Sequence, residues 1–391
     1  MPPHGRRRPS SLTILISLLF LFASTASAAS AVLGIDLGTE YIKAALVKPG
    51  IPLDIVLTKD SKRKEIAAIA FKPLRTKANT AESDSYPERV YGGDAMALSA
   101  RFPSDVYPNL KSLLGLKLND DLVSEYGETY SGLKMVEWPE TGTIGFKSDC
   151  FVAEEEPWLI EELLAMELKN IKGNAETVAG KGSSIKDTVI TVPSFYTVEE
   201  RRAITLAADM AGLRVLSLIS DGLSVGLNYA TSRTFPTVNE GGKPEIHLVY
   251  DMGAGSTTAT VLRFQGRTVK DVGKFNKTIQ EVQVLSTSWD KSLGGDALNR
   301  VILEDMIEKI TESSHIKPLG LQSNHVKSHG RTMAKLWKEA ERIRQVLSAN
   351  TEMSTAVEGL YYEDFTFKYK LSRAGFEKLA LSILYQGSET Y

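Results

Sequence analysis

The stretch VYDMGAGSTTATVLRF, Val249 to Phe264, decides how the chain reads. An apolar run closes on an acid, Asp251. Gly253, Ala254, Gly255, Ser256, Thr257 and Thr258 follow, and then an apolar run resumes. That order predicts two strands joined by a tight turn. Glycine has no Cβ, so a ligand can approach such a turn down to its backbone. Successive N–H groups there make an anion-binding concavity, to which Ser and Thr hydroxyls add donors. The loop suits phosphate.

The plan occurs twice. LGIDLGTEYIKAAL, Leu33 to Leu46, again ends an apolar run on an acid, Asp36, and continues with Gly38, Thr39, Glu40 and Tyr41. The two acids stand 215 positions apart, about one lobe, which points to a duplicated fold rather than a short repeat. Two such hairpins facing one another would grip a phosphate chain from both sides. Asp36 and Asp251 would then hold Mg²⁺ through water.

Helix and strand alternate between the two hairpins. Val189 to Val192 predicts a strand that Pro193 stops. Thr197 and Glu200 form a capping box. Ile204, Ala207, Ala208 and Ala211 follow at helical spacing, and Gly212 closes the helix. VLSLIS, Val215 to Ser220, returns as a strand, so the class is α/β. Glu154 to Ile171 predicts a helix with Pro157 in its first turn. Arg331 to Ser348 predicts another, with Leu336, Ala340, Ile343 and Leu347 on its apolar face. Pro73 to Arg89 and Glu312 to Gly330 read as loops, and Thr231 to Glu245 as a boundary between lobes.

A chain of 391 residues suits two lobes, 29–240 and 241–391. Its 42% hydrophobic and 24% charged residues are ordinary for a soluble protein. Residues 1–28 differ in kind. Arg6, Arg7 and Arg8 precede the apolar run Leu12 to Ala23, and Ala26 to Ala28 offers small residues for cleavage. This is the pattern of a secretory signal peptide, cut after Ala28, which leaves no membrane attachment. Removing it leaves 43 basic and 48 acidic residues, a net charge of −5, which argues against a nucleic-acid partner. The single cysteine, Cys150, makes no internal bridge. Asn276 to Thr278 is an N-glycosylation acceptor. Lys62 to Lys64 reads as a solvated turn, and Trp158, Trp289 and Trp337 as packing residues. His325 and His329 have metal-like spacing, but no cysteine accompanies them.

These loops resemble the actin-like ATPase fold, and more narrowly the nucleotide-binding domain of the seventy-kilodalton heat-shock chaperones. GIDLGTEY is similar to that family's first phosphate loop and DMGAGST to its second. TVPSFYTVEERRAITLAADMAGL is similar to its connecting segment. SLGGDALNR, Ser292 to Arg300, and EAERIRQVLSAN, Glu339 to Asn350, are similar to its nucleotide-flanking helices. The resemblance implies two lobes, each built on a ribonuclease-H-like sheet, around an ATP or ADP cleft with Mg²⁺. It implies nucleotide contacts from Gly38, Thr39, Glu40, Tyr41, Gly253, Ala254, Gly255, Ser256, Gly294, Gly295 and Asp296. It implies ribose and base contacts from Glu341, Arg344 and Ser348, which share a helix face. Asp36, Asp221 and Asp251 are the candidate catalytic acids.

Departures from the family pattern bear on hydrolysis. Glu40 replaces a threonine. Ala97, in GDAMA, replaces the lysine that reaches the triphosphate. Asp221-Gly222 replaces a Glu-Pro pair, Thr258 an acid, and Gln345 a base-stacking arginine. Losing one charged positioning group commonly slows such chemistry on the order of 100-fold, so the expectation shifts from splitting nucleotide to holding it. With the leader, the departures resemble the large endoplasmic-reticulum branch, the glucose-regulated or hypoxia-up-regulated chaperones. That resemblance implies a lumenal protein that binds unfolded clients and acts as nucleotide exchange factor for the standard lumenal seventy-kilodalton chaperone. An actively hydrolysing chaperone and a small-molecule kinase on the same fold are the alternatives. By the family's pattern, the second lobe is expected to be incomplete and the substrate-binding region absent.

Overall fold

The computed structural model describes residues 31–386 apart from 49–50, 74–86, 152–155, 181–182, 272, 274 and 362–364. The expected signal peptide lies outside the described residues, as does most of the expected loop from Pro73 to Arg89. The end of that loop, Glu88 and Arg89, opens a strand, Glu88–Tyr91.

A six-stranded sheet carries the first hairpin: β1 (Val32–Leu37), β2 (Tyr41–Lys48), β3 (Ile51–Ile55), β4 (Asp187–Val192) and β5 (Arg214–Ser220), with the short strand Glu65–Ile66 beside β2. Their order is β5-β4-β1-β2-β3, parallel across β5, β4 and β1 and antiparallel across β1, β2 and β3. Leu33, Ile35 and Leu37 alternate into the core, as period-2 burial requires. They join Leu163, Leu168, Ile204 and Ala207 of two covering helices in one apolar cluster. These helices are α1 (Ile160–Ala179) and α2 (Val198–Met210). The expected capping box closes α2: the Thr197 hydroxyl accepts the Glu200 N–H at 3.3 Å, and the Glu200 carboxylate accepts the Thr197 N–H at 2.5 Å. Gly212 follows it at φ 70°.

The acidic run is corrected. Pro157 does not open α1. Trp158 and Leu159 pair with Phe146 and Gly145 as a short strand, and the helix starts at Ile160. The Glu162 carboxylate caps it by accepting the Leu159 N–H at 2.9 Å. Burial of Ala175 and Ala179 carries it past Ile171.

The second hairpin belongs to a sheet of β6 (Glu245–Met252), β7 (Thr257–Lys270) and β8 (Asn276–Asp290), paired antiparallel in that order. This repeats the β1-β2-β3 meander. Helix α3 (Asp221–Thr231) leaves β5 and packs on the second sheet. Glycine makes that possible. A Cβ on Gly222 would lie 2.3 Å from Thr260 Oγ1, and one on Gly226 would lie 2.4 Å from Leu262 Cδ1.

A second core forms above this sheet from α4 (Gly295–Glu312), α5 (Gly330–Leu347) and a hairpin of Glu352–Glu358 with Thr366–Ser372. Leu336, Ala340, Ile343 and Leu347 face it as their spacing predicts, against Ile302, Met306 and Phe367. The expected loop from Glu312 to Gly330 contains a 3₁₀ turn, Lys317–Leu319, and a short helix, Ser323–Lys327. Two of its three histidines cap helices. His325 Nδ1 accepts the Gln322 N–H at 3.1 Å, and His329 Nδ1 accepts the Thr332 N–H at 3.3 Å.

Candidate functional site

The two hairpins have one geometry. Leu37 pairs with Ile42 and Asp36 with Lys43 in the first; Met252 pairs with Thr257 and Asp251 with Thr258 in the second. Backbone bonds tighten both turns: Gly38 N–H to Asp36 O at 3.1 Å, and Gly253 N–H to Ser256 O at 2.9 Å. Any Cβ at Gly38 would sit 2.3 Å from the Tyr41 carbonyl, so only glycine fits there. The loops face each other closely. A Cβ on Gly255 would stand 3.1 Å from the Thr39 hydroxyl.

Between them lies a chamber of about 240 Å³, lined by Gly38 to Tyr41, by Gly253 to Ser256 and by Asp36, Asp221 and Asp251. It fits phosphate by its glycine cradle, where backbone replaces side chains. Asp36 is already engaged: Lys43 Nζ lies 2.6 Å from its Oδ2, and the Thr191 hydroxyl donates to its Oδ1 at 3.2 Å. Asp221 starts α3, and burial raises its carboxyl above the usual range. Thr258 is buried opposite Asp251. Among the described residues no cluster of three or more acids, histidines or cysteines could hold a metal directly. The arrangement of Asp36, Asp221 and Asp251 suits a cation held through water, with phosphate oxygens completing its shell.

Three lysines line this chamber that no motif pointed to: Lys43, Lys64 and Lys111. Lys64, expected in a solvated turn, is exposed, yet its Nζ stands 3.5 Å from the Tyr41 ring centroid. Lys111 sits in the 3₁₀ turn Leu110–Leu113 between buried leucines. Burial lowers its ammonium pKa, against the opposing pull of Asp221, Asp36 and Asp251. The signal was a single lysine in the apolar run NLKSLLGL. Ala97 is the exposed last residue of a short helix, Gly92–Ala97, and does not line the chamber.

The expected third glycine element supports the second loop instead of facing the chamber. Gly295 N–H donates to Gly253 O and Asp296 N–H to Ala254 O, each at 2.9 Å. A Cβ on Gly294 would lie 2.2 Å from the Ala254 carbonyl. The N–H groups that open α4 are therefore spent on the loop. Asp296 is half-buried, and desolvation pushes its carboxyl up to about 7, with the Glu40 charge adding to the effect.

One of the three expected helix-face residues, Glu341, reaches the first loop, and Arg344 reaches the start of α4. Glu341 is half-buried; burial, then its carboxyl hydrogen bond with Glu40, pushes it up to about 7. Burial and the Glu40 charge also raise Tyr41. Arg344 Nε donates to Asn299 Oδ1 at 2.6 Å, and its guanidinium lies 3.5 Å from the Cβ position of Gly295. Ser348 turns back, donating to Gln345 O at 2.6 Å.

A second cavity of about 110 Å³ adjoins the first, sharing Thr39, Lys111 and Ala254 to Ser256. Contacts between the two cores close its far side. Arg300 and Glu125 line it and pair at 2.7 Å; apart from this cavity, Gly330 packs on Gly132, where a Cβ would stand 2.6 Å from Cα. Trp337 lines this cavity. Trp289 is exposed and stands 5.9 Å from Phe195.

Comparison with known proteins bears on this arrangement. A family model described as Hsp70 protein matches residues 32–390. The chain is 35% identical over 373 residues to Hypoxia up-regulated protein 1 of Danio rerio, covering 95% of this chain and 35% of that protein. It is 36% identical over 352 residues to Heat shock protein 70 homolog lhs1 of Schizosaccharomyces pombe, covering 90% and 38%. Against Hypoxia up-regulated protein 1 of Homo sapiens it is 32% identical over 369 residues, covering 94% and 34%. The chain thus spans about a third of the length of these relatives. The actin-like ATPase fold comes with the family match, and the two meander sheets facing one cleft are its duplicated halves. A match that runs from β1 to the last helix leaves one assignment: the chain belongs to the Hsp70 family.

Proposed function

We propose that this chain is the nucleotide-binding part of a chaperone of the endoplasmic reticulum lumen. It binds ATP or ADP with Mg²⁺ in the cleft and splits ATP slowly or not at all. Its work is to promote nucleotide exchange on the standard lumenal seventy-kilodalton chaperone, while unfolded clients are held by parts of the longer relatives that this chain does not span. The leader pattern in residues 1–28 and the similarity to Hypoxia up-regulated protein 1 support the lumenal address.

One observation carries the nucleotide reading: two glycine hairpins of identical register face one chamber that holds both carboxylates and ammonium groups. Backbone N–H groups of Gly38 to Tyr41 and Gly253 to Ser256 would bind phosphate oxygens. Bound Mg-ATP would supply the labile phosphoanhydride. Asp36, Asp221 and Asp251 would orient the cation's water shell. Ala97 stands where the resembled family has a lysine that helps place the attacking water, and Thr258 stands where it has an acid, so binding outlasts cleavage. The test has two arms. Single-turnover assays with labelled ATP should show saturable binding and little ADP. Addition of the chain to a lumenal Hsp70 loaded with fluorescent ADP should speed release; no acceleration at any ratio contradicts the exchange role.

A further inference from the structure

We propose that Lys111 is the phosphate-binding cation of the cleft, reaching from the first sheet's side the charge that position 97 lacks. This rests on the nucleotide reading above.

The geometry comes first. Lys111 is 7% exposed, between the fully buried Leu110 and Leu113. Its backbone is fixed on both sides. Asn109 enters the turn in the left-handed region, φ 52°, with its N–H on Ala67 O at 2.8 Å. The Tyr196 hydroxyl donates to Lys111 O at 2.9 Å. The side chain nevertheless ends in the chamber, at the join of the two cavities, between Thr39 and the second glycine loop. Among the described residues its ammonium makes no ion pair and no hydrogen bond. It lies 5.9 Å from the centroid of the Tyr196 ring.

A buried cation without a hydrogen-bonded partner is unfavourable unless an anion meets it. Of the nearby carboxylates, Asp36 already holds Lys43 at 2.6 Å and accepts the Thr191 hydroxyl at 3.2 Å, and none pairs with the Lys111 ammonium among the described residues. Lys43 is half-exposed and already paired, and Lys64 is exposed above Tyr41. Lys111 alone of the three combines burial, a fixed backbone and a free ammonium facing both glycine loops. Lysine suits this task as a compact point charge for phosphate oxygens.

The alternative role is a structural counter-ion for the three acids, and the two roles move stability in opposite directions. Wild type, Lys111→Met and Lys111→Arg are compared in the 391-residue chain by ATP calorimetry and by thermal melting without nucleotide. Phosphate binding predicts that Lys111→Met weakens ATP on the order of 10–100-fold, that its melting temperature without nucleotide holds or rises, and that Lys111→Arg recovers most of the affinity. Unchanged ATP affinity in Lys111→Met overturns the proposal. So does a fall in both melting temperature and affinity that arginine does not rescue. If Lys111→Met fails to fold, the ³¹P shifts of ATP bound to wild type and Lys111→Arg decide, since a contact requires them to differ and identical spectra refute it. A wild type that binds no ATP removes the nucleotide reading itself and this inference with it, whereas a wild type that binds while Lys111→Met binds equally well removes this inference alone.

Discussion

Asp36 and Asp251 hold the same station in two hairpins: each is the next-to-last residue of its strand, Asp36 opposite Lys43 and Asp251 opposite Thr258. The partners differ, and so does the chemistry. Lys43 neutralises Asp36 at 2.6 Å, whereas Thr258 brings no charge to Asp251. A duplicated scaffold therefore carries one acid that is tied down and one that is open.

Lys43→Ala should release Asp36 for the cation's water shell. ATP affinity should then depend on Mg²⁺ several-fold more than in wild type. Stability should move by less than about 1 kcal/mol, because the ion pair is half-exposed. Calorimetry with and without Mg²⁺ checks this, and an unchanged Mg²⁺ dependence would count against any role for Asp36 in holding the cation.

Gly38→Ala places a methyl 2.3 Å from the Tyr41 carbonyl, so the turn must open. Overpacking of this kind costs about 1–3 kcal/mol. Urea unfolding should show that loss, and ATP affinity should fall at least about tenfold with the displaced N–H groups. A variant as stable and as tightly binding as wild type would mean that the loop is not the cradle described.

Glu341 and Asp296, raised to about 7 from ordinary values of 4.5 and 3.8, give stability a pH dependence with a definite sign. The folded chain keeps two protons that the unfolded chain releases. Stability is therefore greatest below pH ~4 and declines as pH rises to ~7, where both carboxylates must ionise in place. Glu341→Gln should stabilise the protein by roughly 1–3 kcal/mol at pH 8 and by almost nothing at pH 4. Denaturant melts at the two pH values measure the difference, and equal effects would contradict the assignment.

Strand β6 leaves its outer edge unpaired among the described residues, with Leu248 63% and Tyr250 62% exposed. An apolar, open edge is a template for pairing with another chain. Leu248→Lys with Tyr250→Lys should reduce self-association of the 391-residue chain in sedimentation velocity. Equal association in both proteins would place the contact elsewhere.

Both hairpins, helix α2 with its Thr197–Glu200 box and the apolar stripe of α5 were legible because each rests on local rules: turn chemistry, capping and periodicity. The start of α1 was not legible. Pairing of Trp158 with Phe146 is a tertiary event, and it overrides the helix preference of the acidic run before it. The glycines at 294 and 295 read as nucleotide contacts by resemblance, because a motif does not tell whether a loop faces a cavity or another loop. Lys111 escaped notice for the opposite reason. Its neighbours read as core, and only the fold shows that the side chain ends in the cleft.

Calorimetric titration of the 391-residue chain with ATP and with ADP, in Mg²⁺, tests the central claim most directly. The account predicts saturable one-to-one binding of both nucleotides, with ATP still intact after many minutes. Absence of saturable binding up to millimolar nucleotide would contradict the reading of the two hairpins as a phosphate grip.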